Sequence, residues 1–545
     1  MRQWDICDIA LSANADHDWW TYPVVSTFVH VETGTRIVLE GFWNGGQSWV
    51  IRFAPTMSGA WSWRTSSPDP GLDGRVGELT AAAPSPAQIE RNPNYRGHLR
   101  ISRDGRYFEY ADGAPFFLLA DTLWAGNTAR CGLGENRDGP FYRYLSDRKA
   151  KGFTTILMQY MRGFGDTTTE PAGQRNEGGH PFREGDVARL NPAYFRYLDV
   201  RMSAIREHGF VAANPTTWFG KMRNCFFSLT WAKRISAYLT VRYNAYNLLR
   251  SLSGEYQYAM RDCGWTTAQI DEIGREVQAH NAYRHPLSIH PSGAMHWEAP
   301  HGGQSSNAFH NSDWLDHTWL QTGQRIDRMC HIAIRCREHH DLQPIRPIFC
   351  SEAYYERPPE TDSEGAYHAR WQAWCAFLNG ALGGYGYGAF GMWQFYDPDD
   401  PEGEIGKSVK GVVPWPEALA LEGATQLQHV KVVLTACDWW RLAPRREWLT
   451  VDGSANPMPT PSDLTPPHCA AIPGECYIVY IPRGNSHREI IITNLQENGY
   501  TARWLDPHDG REMAAQDAPE GVSAWAIPHR PEPSNEDWVY VLDAV

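Results

Sequence analysis

Two glutamates occupy positions from which a carboxyl group could do chemistry. Glu255 lies in "RSLSGEYQYAM" (250–260), directly after the apolar run 243–249, with small residues before it and aromatic ones after it. Glu352 lies in "PIRPIFCSEAYYE" (344–356), just past the run Pro347–Cys350 and followed by Tyr354 and Tyr355. Facing carboxyl groups are what cleavage of a glycosidic bond requires. One protonates the departing oxygen while the other attacks the anomeric carbon or activates water, and the transition state between them resembles an oxocarbenium ion. A separation of about 5–5.5 Å goes with retention of anomeric configuration and about 6.5–9.5 Å with inversion. The chain has 63 acidic residues, so residue type alone selects no pair, and solvated loop glutamates are the competing reading.

The elements that carry these residues narrow the choice. From about residue 106 onward, apolar strand-like runs alternate with helical stretches such as "FYRYLSDRKAKG" and "YFRYLDVRMSAIREHG", each closed by a glycine in C-cap position. The expected strands are Phe116–Ala120, Thr154–Gln159, Val211–Pro215, Ala245–Leu249, Leu287–His290, Trp314–Trp319, Pro347–Cys350 and Gly388–Trp393. Eight such units predict a (β/α)8 TIM barrel of the α/β class, whose reactive groups gather at the C-terminal ends of the strands. Polar residues there are Asp121 after the first strand, Gln159 and Tyr160 at the second, Glu255 after the fourth, His290 at the fifth and Glu352 after the seventh.

Substrate-binding candidates follow from side-chain chemistry. Asp121 could accept from two sugar hydroxyls, with a helix N-cap as the alternative. Trp124, Trp218, Tyr355 and Trp393 could wall a sugar pocket by stacking, or simply fill core. His290 could orient a carboxylate or bind a hydroxyl, with a structural histidine as its rival. Gln159 and Tyr160 stand at the same mouth with open roles. The polar, glycine-rich segment 164–186 is expected to shape subsites.

A chain of 545 residues exceeds one hydrophobic core, which stops growing near roughly 250–300 residues. Residues 1–84 alternate in short runs with hairpin punctuation and predict an N-terminal β-sandwich. The stretch 81–97 is rich in small residues and proline and is the linker candidate, so 85–105 reads as a linker, 106–445 as the barrel and 446–545 as a C-terminal β-sandwich. The formal net charge of −13 argues against nucleic acid or anionic lipid as a partner. No stretch reaches the length of a membrane span. Eleven cysteines scattered without a C-x-x-C pair suggest reduced thiols, and with an N-terminus lacking a secretory core they point to a cytoplasmic address, although a chain trimmed of its leader would look the same. "CREHH" (336–340) with Cys330 matches no zinc spacing, so neither metal nor other cofactor is expected. Self-association is left open.

Seven segments taken in order, "APFFLLADTLWAG" (114–126), "KGFTTILMQYM" (151–161), "YNLLRSLSGEYQ" (246–257), "HPLSIHPSG" (285–293), "LDHTWLQTG" (315–323), "IFCSEAYYE" (348–356) and "YGAFGMWQFYD" (387–397), together resemble the apiosidase-like (β/α)8 glycoside hydrolases. "GFWNGGQSWVIRFAPTMSGAWSWRT" (41–65) is similar to the sandwich that precedes such barrels, and "ARWLDPHDGRE" (502–512) to the collagen-binding-type sandwich that follows them. The resemblance implies Glu255 as general acid/base and Glu352 as nucleophile. It departs at two places: apiosidase itself carries Asp where this chain has Glu255, and the wider retaining pattern has Asn where this chain has Gly254.

A retaining glycoside hydrolase is therefore expected, with Glu255 kept protonated by burial and a neighbouring carboxylate. Its substrate is expected to be a plant or bacterial glycan, with a terminal furanose such as apiose or arabinofuranose as the family-level candidate. An inverting enzyme using the same pair, and a carbohydrate-binding protein without turnover, are the alternatives.

Overall fold

The computed structural model describes every residue except 162–174, 222–224, 294–303, 400–411 and 516. The N-terminal domain is a β-sandwich of a three-stranded sheet (Cys7–Ser12, Ser48–Phe53, Phe42–Gly45) on a four-stranded one (Arg36–Glu40, Val25–His30, Gly59–Ser66, Val76–Ala81). In Val25–His30 every second residue is buried, as an alternating strand with one core face must be. Phe28 and Phe53 stack at 3.9 Å across the two sheets over Trp49 and Trp61.

Eight parallel strands form the barrel: Leu119–Thr122, Thr155–Leu157, Val211–Pro215, Leu248–Ser251, Leu287–Ser288, Thr318–Gln321, Ile348–Glu352 and Gly384–Tyr387. The first pairs with the eighth, and strands five and six are joined by Asp316 N–H donating to the Leu287 carbonyl at 2.8 Å and Ser288 Oγ to the His317 carbonyl at 2.6 Å. The inner core runs through Ala120, Leu157, Val211, Ala213, Leu249, Trp319 and Phe349.

Four strands lie elsewhere than the residue pattern predicts. Phe116 belongs not to the first barrel strand but to a three-stranded antiparallel sheet (Leu99–Ile101, Phe108–Tyr110, Pro115–Phe116) whose apolar face joins the inner core beneath the barrel. Residues 85–105 are therefore no spacer. Ser85 caps the helix Pro86–Arg91, and Leu99 N–H is held by Asn247 Oδ1 at 2.8 Å. The fourth and sixth strands start three and four residues later than expected, at Leu248 and Thr318. The eighth is Gly384–Tyr387, ahead of the expected Gly388–Trp393. A Cβ at Gly384 would meet Leu118 at 2.6 Å and one at Gly386 the Ser351 carbonyl at 2.5 Å, so the glycines let this strand close the barrel while Phe390 and Trp393 turn over its mouth.

The C-terminal domain packs a six-stranded against a four-stranded antiparallel sheet. It docks on the barrel helix Gly365–Leu378, where Arg370 forks onto Asp537 at 2.6 and 2.8 Å and Trp374 stacks with Tyr480. The expectation of reduced thiols fails at one pair, since Cys225 and Cys263 form a disulfide. The two lie 38 residues apart in sequence, and only the fold brings them together. No described helix is long and apolar enough to cross a membrane.

Candidate active site

Glu255 follows the fourth strand through Leu252-Ser253-Gly254 and is the N-cap of the helix Tyr256–Cys263. Its backbone is left-handed, with φ at 40°, a conformation that costs a non-glycine residue of order 1 kcal/mol and persists only where its surroundings impose it. Both carboxylate oxygens are held. Trp218 Nε1 donates to Oε2 at 2.8 Å, Gln321 Nε2 to Oε1 at 3.3 Å, and the Lys221 ammonium forms an ion pair with Oε2.

Glu352 ends the seventh strand. His290 Nε2 lies 3.1 Å from its Oε2, and Gln324 Nε2 donates to Oε1 at 3.3 Å. Gln324 also receives Tyr355 N–H and donates to the Ala353 carbonyl, so it clamps both sides of the turn that presents the carboxylate. Both glutamates are more than nine-tenths buried.

His290 stands between the two. Its ring is 5.6 Å from each of Trp124, Trp218 and Trp319, its Nε2 faces Glu352, and its charge acts on Glu255. Ser351 Oγ gives its single proton to the Leu320 carbonyl at 3.0 Å, so it receives Nδ1–H from His290 at 3.1 Å. The other ring nitrogen, Nε2, is left facing Glu352.

Residues 102–441 match the family model described as "Apiosidase-like, catalytic domain", which is well over half of the chain. The chain belongs to the apiosidase-like family. It is a glycoside hydrolase with flanking domains of its own kinds: residues 1–68 match a domain of unknown function, and 462–543 a family described as "Putative collagen-binding domain of a collagenase". A protein of Bacteroides vulgatus ATCC 8482 described as a "putative glycoside hydrolase" superposes with a TM-score of 0.70 at 17% identity, over 100% of this chain and 99% of its own. A glycoside hydrolase family 5 protein of the same organism gives 0.66 at 18%, over 83% and 94%. These likenesses establish a shared fold. Among curated proteins, none matches the chain by sequence.

The apiosidase-like barrel gathers Trp124, Trp218, Tyr355 and Trp393 in one inner cluster around the two glutamates. Trp124 Nε1 donates to Tyr355 OH at 2.7 Å and its ring meets Trp218 edge-on at 4.9 Å, so these walls brace one another. Gln159 is buried at the end of the second strand, with an Oε1 that has no hydrogen-bond partner among the described residues.

Two candidates face the other way. Asp121 lies within the first strand, not after it, and alternation turns it towards the helix layer. There Oδ2 accepts from Arg148 at 2.5 Å and Tyr144 at 2.9 Å, so the sugar-acceptor role expected for it is replaced by a buried ion pair. Tyr160 likewise stacks on Tyr243 at 5.0 Å in the outer core instead of lining the mouth. Of the expected subsite segment 164–186, residues 164–174 lie outside the described residues.

Lys221, Gln321 and Gln324 were not singled out by sequence. Gln321 had a signal, because it alternates with inward-facing Trp319 at the end of the same run. Lys221 alters the electrostatics most. Burial by itself would raise the proton affinity of Glu255, but the Lys221 cation, then His290 and the Trp218 N–H, outweigh it. The carboxyl is held below the ordinary glutamate range, against the expectation that it would be raised.

Proposed function

We propose that this enzyme cleaves its glycosidic bond with retention of configuration. Glu352 attacks the anomeric carbon as the bond to the leaving oxygen breaks, and Glu255 passes a proton to that oxygen. Water then attacks the glycosyl-enzyme ester, giving its proton to Glu255 and releasing Glu352. The observation that carries the reading is His290, which contacts Glu352 directly and whose charge reaches Glu255, tying carboxylates from the fourth and seventh strands to one centre. The aromatic cluster suits the apolar face of a sugar ring. A terminal furanose such as apiose or arabinofuranose on a plant or bacterial glycan is the substrate this reading favours. The Cys225–Cys263 disulfide supports an oxidising compartment over a cytoplasmic one.

A panel of synthetic aryl furanosides and pyranosides, with the first-formed product followed by proton NMR, tests the proposal. The product is expected to keep the substrate's anomeric configuration. Glu255→Gln is expected to lower turnover about 10²–10⁴-fold, and Glu352→Gln more. An inverted product would assign the same pair to a single-displacement mechanism. Sugar binding without turnover on any glycoside would replace hydrolysis with recognition.

A further inference from the structure

The disulfide is built into the acid/base side of the site. Cys263 is the last residue of the helix that begins immediately after Glu255. Cys225 follows the third strand on the segment that carries Trp218 and Lys221, the two residues whose nitrogens contact Glu255 Oε2. The two segments pack without room for a side chain between them. A Cβ at Gly220 would stand 2.1 Å from Ala259 N, and one at Gly254 2.1 Å from the Trp218 ring. Lys221 Nζ also lies over the Tyr258 ring at 4.2 Å, one turn into the same helix. At eight residues, that helix is too short to hold its own geometry in water.

The groups facing the Glu255 carboxylate come from several elements. Lys221 and Trp218 reach it from the third-strand segment, His290 from the fifth strand and Gln321 from the sixth, while Tyr258 lies on its own helix. Glu352, paired to His290, stands on the seventh. Lys221 is the formal cation placed directly against it.

We propose that Lys221 is the positioning residue of the acid/base carboxylate and that the Cys225–Cys263 disulfide holds it there. The inference rests on reading Glu255 as the acid/base. A cation at this place favours the ionised form, which the second half-reaction needs to take a proton from water. The protonated form needed to release a poor leaving group is correspondingly scarce at neutral pH. Lys221 thus sets the enzyme towards fast release of the sugar and makes the first step favour acidic conditions. Reduction by dithiothreitol, whose two thiols become its own cyclic disulfide as Cys225 and Cys263 become thiols, would relax that bias.

The full chain carrying carboxyl-¹³C glutamate, with Glu255→Gln as the difference reference, reports the Glu255 titration without any substrate. Lys221→Met is expected to move its midpoint up by about one pH unit or more. Lys221→Arg should keep it low. The Cys225→Ser/Cys263→Ser pair and the dithiothreitol-treated wild type should move it in the same direction as Lys221→Met. On any aryl glycoside that is turned over, the alkaline limb of kcat/KM should shift upward in parallel. An unmoved midpoint in Lys221→Met would overturn the role of Lys221, and an unmoved midpoint in the reduced protein would overturn that of the disulfide. Should the serine pair fail to fold, the reduced wild type still decides. Failure of the hydrolase reading would show separately, as wild-type protein that titrates as described but turns over nothing.

Discussion

His290 Nε2 lies 3.1 Å from Glu352 Oε2, and the opposite ring nitrogen is committed to Ser351. This gives the imidazole one orientation, with Nε2 turned to the carboxylate. His290→Asn should therefore lower kcat/KM by about 10–100-fold, the worth of one hydrogen bond to a charged group. A variant with unchanged kcat/KM would assign His290 to packing alone.

Gly254 leaves no side chain immediately before Glu255, and the packing requires it. The Trp218 indole occupies the space, 2.1 Å from where a Cβ would stand. Gly254→Ala should push the indole aside and break its 2.8 Å bond to Glu255. Turnover should fall at least about tenfold, as expected for loss of a charge-assisted hydrogen bond, with a displaced Trp218 visible in a crystal structure of the variant.

Asp121 and Arg148 form a wholly buried pair between the first strand and the helix Pro140–Ala150. Removing one partner leaves a buried charge uncompensated, at about 3–5 kcal/mol. Arg148 keeps Asp147 and the Leu419 carbonyl, so the cost should fall at the lower end. Asp121→Ala should lower the melting temperature while leaving KM of the folded fraction unchanged. A raised KM at unchanged stability would restore the sugar-binding role.

Glu356 is buried behind the site, where Tyr387 OH donates to it at 2.5 Å and Gly423 N–H at 3.0 Å. Burial pushes its carboxyl up to about 7, against these hydrogen bonds and Arg148. A folded-state value above the unfolded one means that the stabilisation is complete below about pH 4.3 and is lost as pH rises through about 7. Relative to wild type, Glu356→Gln should gain thermal stability progressively from pH 4.5 to 8. Thermal melting of both proteins across that interval checks the sign, and a constant difference would show that Glu356 does not titrate there.

Much of the architecture was legible along the chain. Strand-like runs alternating with helical ones, and glycines closing the helices, announce a βα barrel because period 2 and period 3.6 bury different faces. Strand boundaries were less so. Ala245-Tyr246-Asn247 looks as apolar as the strand it precedes, and Gly384–Tyr387 looks too glycine-rich to be one, although crowding by Leu118 and Ser351 demands glycine there. A slip of one residue exchanges inside for outside. Asp121 and Tyr160 were accordingly read as facing the mouth while they face the helices.

By itself, the sequence determined which carboxylates to question, because residue type and position after a strand are local properties. Three-dimensional packing alone decided what each carboxylate feels. Lys221, Trp218, His290 and Gln321 come from three other strand ends to meet Glu255 and Glu352, and two cysteines 38 residues apart close on one another beside them. Proton affinity depends on charges a few ångströms away in space, and chain separation says nothing about that distance until the barrel has closed.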